Sequence, residues 1–130
     1  MNDLKRFLDS KSFAVAGASA NRDKYGNKVV RAYQQKSMTV YPVNPKVAVV
    51  EGLKAYPSVA ELPDGVEAIS IVTPPQVTLS VVTQALERGI RKFWMQPGAE
   101  NPDAVTLAEN AGATVIADGA CVLVALGYRE

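Results

Sequence analysis

At 130 residues, with 48% hydrophobic and 21% charged content, the chain has the make-up of one globular domain and not of a disordered segment. Its net charge of +1 excludes a global field that would draw nucleic acid or an anionic membrane, so any anion site must be built locally. The absence of histidine removes His-based acid/base catalysis, Ser-His and Cys-His pairs, phosphohistidine chemistry and His-ligated metals, while a single cysteine, Cys121, excludes an internal disulfide and a thiolate zinc site.

No apolar run reaches membrane-spanning length, and the N-terminal segment carries scattered charges where a signal peptide would have an apolar core. With the lone thiol suiting a reducing compartment, the cytoplasm is the expected location.

In chain order, Asn2 is a good N-cap for a short helix with Leu4, Phe7 and Leu8 on one face. Residues 12–16 form an apolar, β-like run that breaks at Gly17 into a turn of small residues. Helical spacing of Val29, Val30 and Tyr33 predicts a helix from Tyr25 to Gln35. Residues 38–41 read as a second strand ended by Pro42 and Pro45, since proline does not suit a central strand. Residues 47–50 fit either a short extra strand or an apolar surface segment, and residues 57–62 fit one helical turn capped by Ser58.

A third strand is expected at 68–72, closed by Thr73-Pro74-Pro75, with Pro75 in the first turn of the next helix and Gly89 stopping it. Residues 92–96 form a fourth strand, broken at Pro97-Gly98. Asn101 caps a helix that opens on Pro102 and ends at Gly112, and residues 114–117 form the fifth strand before an apolar tail at 121–126. Strands alternating with helices at this rhythm mean parallel crossovers. The expected fold is therefore α/β: a single Rossmann-like three-layer sandwich with a five-stranded parallel sheet in the order 3-2-1-4-5.

In that architecture ligands gather at the carboxyl ends of the strands, beside the first one. Four segments meet there: residues 17–24, 43–46, 73–75 and 96–98. The first is a strand–turn–helix junction, where unpaired N–H groups and the helix dipole suit a phosphate. Gly17, Ala18 and Ser19 let the backbone come close, the Ser19 hydroxyl is an expected donor, and Arg22 and Lys24 bring mobile positive charge. The turn is neither Gly-x-Gly-x-x-Gly nor a P-loop. An NAD site expects a carboxylate about 20 residues beyond such a turn. None lies between Lys24 and Glu51, and Lys46 stands near that place instead, suited to a ribose phosphate as in NADP or coenzyme A.

Gly17-Ala18-Ser19, Lys24-Tyr25-Gly26, Pro42-Val43-Asn44-Pro45-Lys46, residues 52–58 and Trp94-Met95-Gln96-Pro97-Gly98 together resemble the small stand-alone CoA-binding proteins. Their fold is similar to the N-terminal CoA-binding domain of the succinyl-CoA synthetase alpha subunit, and the likeness covers nearly the whole chain in order. The resemblance implies coenzyme A or an acyl-CoA as ligand. Gly17, Ala18, Ser19, Ala20, Asn21, Arg22 and Lys24, with Gly26 behind them, would cradle the CoA phosphates. Val43, Asn44 and Lys46 would flank the adenosine and its 3′-phosphate. Val72, Thr73 and Pro74 would wall the adenine or pantetheine arm, and Gln96, Pro97 and Gly98 would border the opening. Where the family often has an Asp-Arg-Cys-type segment, this chain has Asp118-Gly119-Ala120-Cys121. The full synthetase uses a phosphorylated histidine and further domains, so the resemblance implies binding without catalysis.

Two other readings stay open: an NADP-binding regulatory domain, and an interaction module docking through the apolar tail at 122–126. A small-molecule nucleotide cofactor is the expected partner, with no nucleic acid and no membrane, and a protein partner or homo-oligomer is left open. Cys121 is expected to be a buried, inert thiol and Trp94 a strand residue packed on a helix.

Overall fold

The structure, a computed structural model, describes residues 2–130. Its elements in chain order are α1 (Asp3–Leu8), β1 (Ser12–Ala16), α2 (Tyr25–Gln35), β2 (Thr39–Val43), β3 (Val49–Val50), β4 (Leu53–Lys54), a 3-10 turn (Val59–Glu61), β5 (Ala68–Ile71), α3 (Pro75–Glu87), β6 (Lys92–Met95), α4 (Pro102–Asn110), β7 (Thr114–Ile116) and α5 (Val122–Ala125). Five strands form one parallel sheet in the order β2-β1-β5-β6-β7, and β3 and β4 make a separate antiparallel hairpin. Strand residues alternate between two cores, as a pleat requires. Ala14, Ala16, Ile69, Ile71, Phe93 and Met95 pack under α3 and α4. Phe13, Val15, Ala68, Trp94 and Ile116 pack with α2, with Phe7 of α1 and with Val122 of α5. The expected Rossmann-like three-layer sandwich is present.

The 3-2-1-4-5 succession is read along the sheet when the segment at Tyr56 is counted as its third strand. Tyr56 makes a parallel bridge to Val43 outside β2, its N–H donating to the Pro42 carbonyl at 2.9 Å and its own carbonyl accepting from the Asn44 N–H at 2.9 Å. The strand at 68–71 lies directly against β1 instead. The physical reason is that Tyr56 and the β3–β4 hairpin already take the outer side of β2. Pro42, expected to end the second strand, sits inside it opposite Val15. It is tolerated because β2 is the last strand of the sheet, and the N–H that proline lacks falls on the outward side.

Local chemistry sets the helix starts. Asn2 Oδ1 accepts from the Lys5 N–H at 2.7 Å, and Asn101 Oδ1 accepts from the Ala104 N–H at 3.1 Å. Pro75 and Pro102 each stand at the first helical position, where a missing N–H is harmless. Ser58 precedes the 3-10 turn without capping its backbone; its hydroxyl donates to Glu61. The apolar tail folds as α5 and buries Val122 and Leu126 on the α2 side. Trp94 is fully buried, edge-on to Phe7 at 5.3 Å, with Nε1 donating to the Ala120 carbonyl at 2.9 Å. Among the described residues no helix is long and apolar enough to cross a membrane.

The α2 core holds a polar pair, Tyr33 and Ser70, whose hydroxyls meet at 2.6 Å with both side chains fully buried. Tyr33→Phe strands the Ser70 hydroxyl and is expected to lower the unfolding free energy by about 1–3 kcal/mol in urea. Adding Ser70→Ala should recover most of that loss, because both polar groups are then gone.

Candidate functional site

Gly17 ends β1 and turns the chain towards α2 with φ of +89°. A Cβ there would lie 2.0 Å from the Val72 carbonyl oxygen, so only glycine fits by both conformation and space. Gly26, in the first turn of α2, is equally confined: its Cβ would lie 2.0 Å from the Gly17 carbonyl oxygen. Strand β1, the end of β5 and the start of α2 therefore approach at backbone distance. The connecting turn is held by three side chains, one following β2 and two from α2. Asn44 Nδ2 donates to the Ala18 carbonyl at 2.8 Å, Asn27 Nδ2 to the Ser19 carbonyl at 2.8 Å, and Arg31 to the Arg22 carbonyl at 2.7 Å.

With those carbonyls drawn to side-chain donors, the amides are left over. Among the described residues the N–H groups of Ser19, Ala20 and Arg22, and those of Tyr25 and Gly26 opening α2, form no hydrogen bond. Lys24 sits at the N-cap with no side-chain cap bond. Unpartnered amides at the start of an eleven-residue helix, with lysine beside them, make a donor array for an anion. Asp23 is the one carboxylate inside the turn, and it is exposed.

Beside this array lies a crevice of about 250 Å³. Ala16, Gly17 and Ala18 form its floor, Val43, Asn44 and Pro45 one wall, and Thr73 with Val77, Ser80, Val81 and Gln84 of α3 the other; Pro57, Ser58 and Val59 close one end. A larger hollow of about 490 Å³ lies by α1 and β7, but Asp3, Glu109 and Asp118 line it and would repel an anion.

Most expected residues converge here, several with altered roles. The Ser19 Oγ accepts from the Asn21 N–H at 3.0 Å, shaping the turn while keeping its own proton to donate. Asn21 is likewise internal, its Oδ1 accepting from the Asp23 N–H at 3.0 Å. Ala20 is exposed on the turn. Val43 is buried at the end of β2, and Asn44 also accepts from the Lys46 N–H at 2.7 Å, which bends the chain after β2; Lys46 is exposed and follows Pro45 in the chain, outside the crevice lining. Val72 is half-buried beside Gly17, and Pro74 is the exposed N-cap of α3. Thr73 has little to give: the Thr78 proton goes to the Ala99 carbonyl at 2.7 Å, so the Thr73 hydroxyl supplies the proton of its 2.8 Å bond to Thr78 and meets a ligand only as acceptor.

Residues 96–98 do not border the crevice. Gln96 is fully buried on the α2 side, where its Oε1 accepts from the Tyr25 hydroxyl and the Val122 N–H, each at 2.9 Å; its Nε2 has no partner among the described residues. The correction follows from strand parity: a residue one past β6 continues the alternation inward. Pro97 and Gly98 are exposed, with the Gly98 N–H donating to Glu100 at 2.8 Å. Cys121 is half-buried, not sealed, with Sγ 2.7 Å from the Tyr25 hydroxyl. Burial, then the bond to Cys121, push the Tyr25 phenol far above its ordinary value, so it stays protonated and is no base.

Residues 11–127 match the family model described as CoA binding domain. The uncharacterized protein YneT of Bacillus subtilis is 31% identical over 124 residues, covering 95% of this chain and 91% of that protein. An ADP-forming acetate–CoA ligase of Archaeoglobus fulgidus is 34% identical over 91 residues, covering 68% of this chain but 14% of the ligase. A solved structure of a conserved hypothetical protein from Pyrococcus furiosus superposes with a TM-score of 0.83 at 43% identity, over 88% of this chain and 98% of that one.

The two confined glycines give a direct test. Gly17→Ala or Gly26→Ala is expected to lower stability by about 3 kcal/mol or more in urea denaturation, because a backbone carbonyl and not a flexible side chain must move. Gly65→Ala, at φ of +88° with nothing within 4 Å, should cost only about 1–2 kcal/mol for the conformation alone.

Proposed function

The chain belongs to the CoA binding domain family, and we propose that it holds coenzyme A or an acyl-CoA at the turn after β1 without carrying out chemistry on it. The observation that carries this reading is the array of unpartnered amides at Ser19, Ala20, Arg22, Tyr25 and Gly26, next to a crevice with an apolar wall. A diphosphate asks for several N–H donors in one place and for no fixed carboxylate, and the pinned carbonyls of Ala18, Ser19 and Arg22 meet that demand. Lys24 would add charge to the diphosphate. Lys46, exposed beyond the Asn44 bend, would take the 3′-phosphate as a point charge. Val43, Val59, Val77 and Val81 offer the adenine or pantetheine arm an apolar slot.

Binding without catalysis fits the side chains present. There is no histidine, the Tyr25 phenol stays protonated, and the Thr73 proton is already committed. The chain spans 14% of the Archaeoglobus ligase, so that enzyme's reaction is not carried over.

Calorimetric titration with CoA, dephospho-CoA, acetyl-CoA, NAD and NADP tests the assignment. CoA and acetyl-CoA should bind, dephospho-CoA distinctly more weakly, and NAD not at all. Lys46→Glu should reduce CoA affinity by about 1.5–3 kcal/mol, the range for a hydrogen bond to a charged group, and leave dephospho-CoA nearly unchanged. Uptake of NADP with CoA silent would move the reading to a redox-nucleotide sensor.

A further inference from the structure

The hairpin of β3 and β4 turns through two residues, Glu51 and Gly52, with φ of +48° and +79°. Such a turn takes Asn or Gly at its first place with ease, and glutamate there carries backbone strain. The side chain explains its presence. It is only 15% exposed and reaches back to the helix and turn that form the anion array. Its Oε2 accepts from Asn27 Nδ2 at 3.0 Å, and its Oε1 pairs with the Arg22 guanidinium. Asn27 is fully buried and has every polar group engaged: Nδ2 serves Glu51 and the Ser19 carbonyl, and Oδ1 accepts from Arg31 Nε at 2.7 Å. Gln34 Nε2 donates to the Glu51 carbonyl at 3.0 Å, a second tie between the hairpin and α2.

From this arrangement we propose that Glu51 is a positioning residue for the phosphate turn, acting through Asn27 and Arg22 and not through the ligand. Its carboxylate decides which way the Asn27 amide faces, since the acceptors Glu51 and Ser19 carbonyl stand on one side and the donor Arg31 on the other. That amide holds the Ser19 carbonyl back and so presents the N–H of the same peptide, that of Ala20, as Asn44 on the Ala18 carbonyl does for Ser19. The ion pair fixes the far end of the turn at Arg22, whose own carbonyl Arg31 holds. The groups facing Glu51 are Arg22 from the turn and Asn27, Arg31 and Gln34 from α2. The Asn27 bond first, then the two arginines, hold its carboxyl below the usual range, so it stays ionised at neutral pH and loses its hold only in acid, as pH falls through that lowered value.

The inference rests on the coenzyme A reading for its consequence, not for the geometry of the turn, and two measurements separate the cases. The first is calorimetry with CoA and with pantetheine, which carries no phosphate. The second is backbone order parameters across residues 18–24 from nitrogen relaxation. Glu51→Ala is expected to weaken CoA binding about tenfold or more, leave pantetheine unchanged and lower the order parameters of the turn, with those of β1 and β5 intact. Glu51→Gln, whose amide oxygen still serves Asn27, should recover much of both losses. If Glu51→Ala binds CoA like the wild type and the turn stays ordered, the inference is overturned. It is overturned equally if pantetheine weakens in step with CoA or the sheet loosens, because the role is then general stability. Should the wild type itself take up no CoA, the proposed function fails and the order parameters alone decide whether Glu51 positions the turn.

Discussion

Two carbonyl oxygens occupy the places where side chains would begin. The Val72 oxygen fills the space beside Gly17, and the Gly17 oxygen fills the space beside Gly26. Because neither position admits a Cβ, the end of β1, the end of β5 and the start of α2 meet with nothing between them. A turn so placed cannot satisfy its polar groups within its own backbone, so the surroundings must supply partners. Asn27, Arg31 and Asn44 supply donors to its carbonyls and none supplies acceptors to its amides. The asymmetry of that supply, more than the sum of charges, gives the turn its polarity towards an anion.

On the proposed function, this is how a chain of net charge +1 would address a polyanionic ligand. Long-range attraction is small here, and the proposed recognition would depend on oriented dipoles and a few lysines over a short range. The positive charges are unequal in kind. Arg22 and Arg31 are committed to the scaffold through Glu51, Asn27 and the turn backbone, whereas Lys24 and Lys46 are exposed. Arginine, with its rigid fork of donors, suits fixed architecture; lysine, a flexible point charge, suits contact with a mobile phosphate.

The sequence made the layered fold legible because its elements announce themselves. Asn2, Asn101, Pro75 and Pro102 mark helix starts, and period-two runs mark the strands. Gly17, Gly26 and Asn44 stand out from the strand–turn–helix pattern and the resemblance it supports, and the structure brings the three together around the turn after β1. Other features depend on partners distant in the chain. Asn27 and Arg31 look like ordinary polar residues of an amphipathic helix, and nothing local says that their side chains turn back onto residues 19–22. Glu51 sits in a stretch without clear periodicity, and its partners lie 24 and 29 positions away. Gln96 was misplaced because the break at Pro97 looks like a rim, while strand parity carries its side chain inward for one residue more. The third place in the sheet order goes to a segment that joins the sheet through an isolated bridge at Tyr56, too short to register as a strand.

That bridge has a bearing on how copies of the molecule behave in a crowd. Strand-by-strand stacking into an endless ribbon needs two open margins per unit, one to offer and one to receive. Here one margin is blocked by Tyr56, by the short hairpin next to it and by a proline whose outward side lacks a donor. Only the three-residue β7 remains at the opposite margin. Were copies to pair through β7, the arrangement would close at two molecules and would not extend into a fibre.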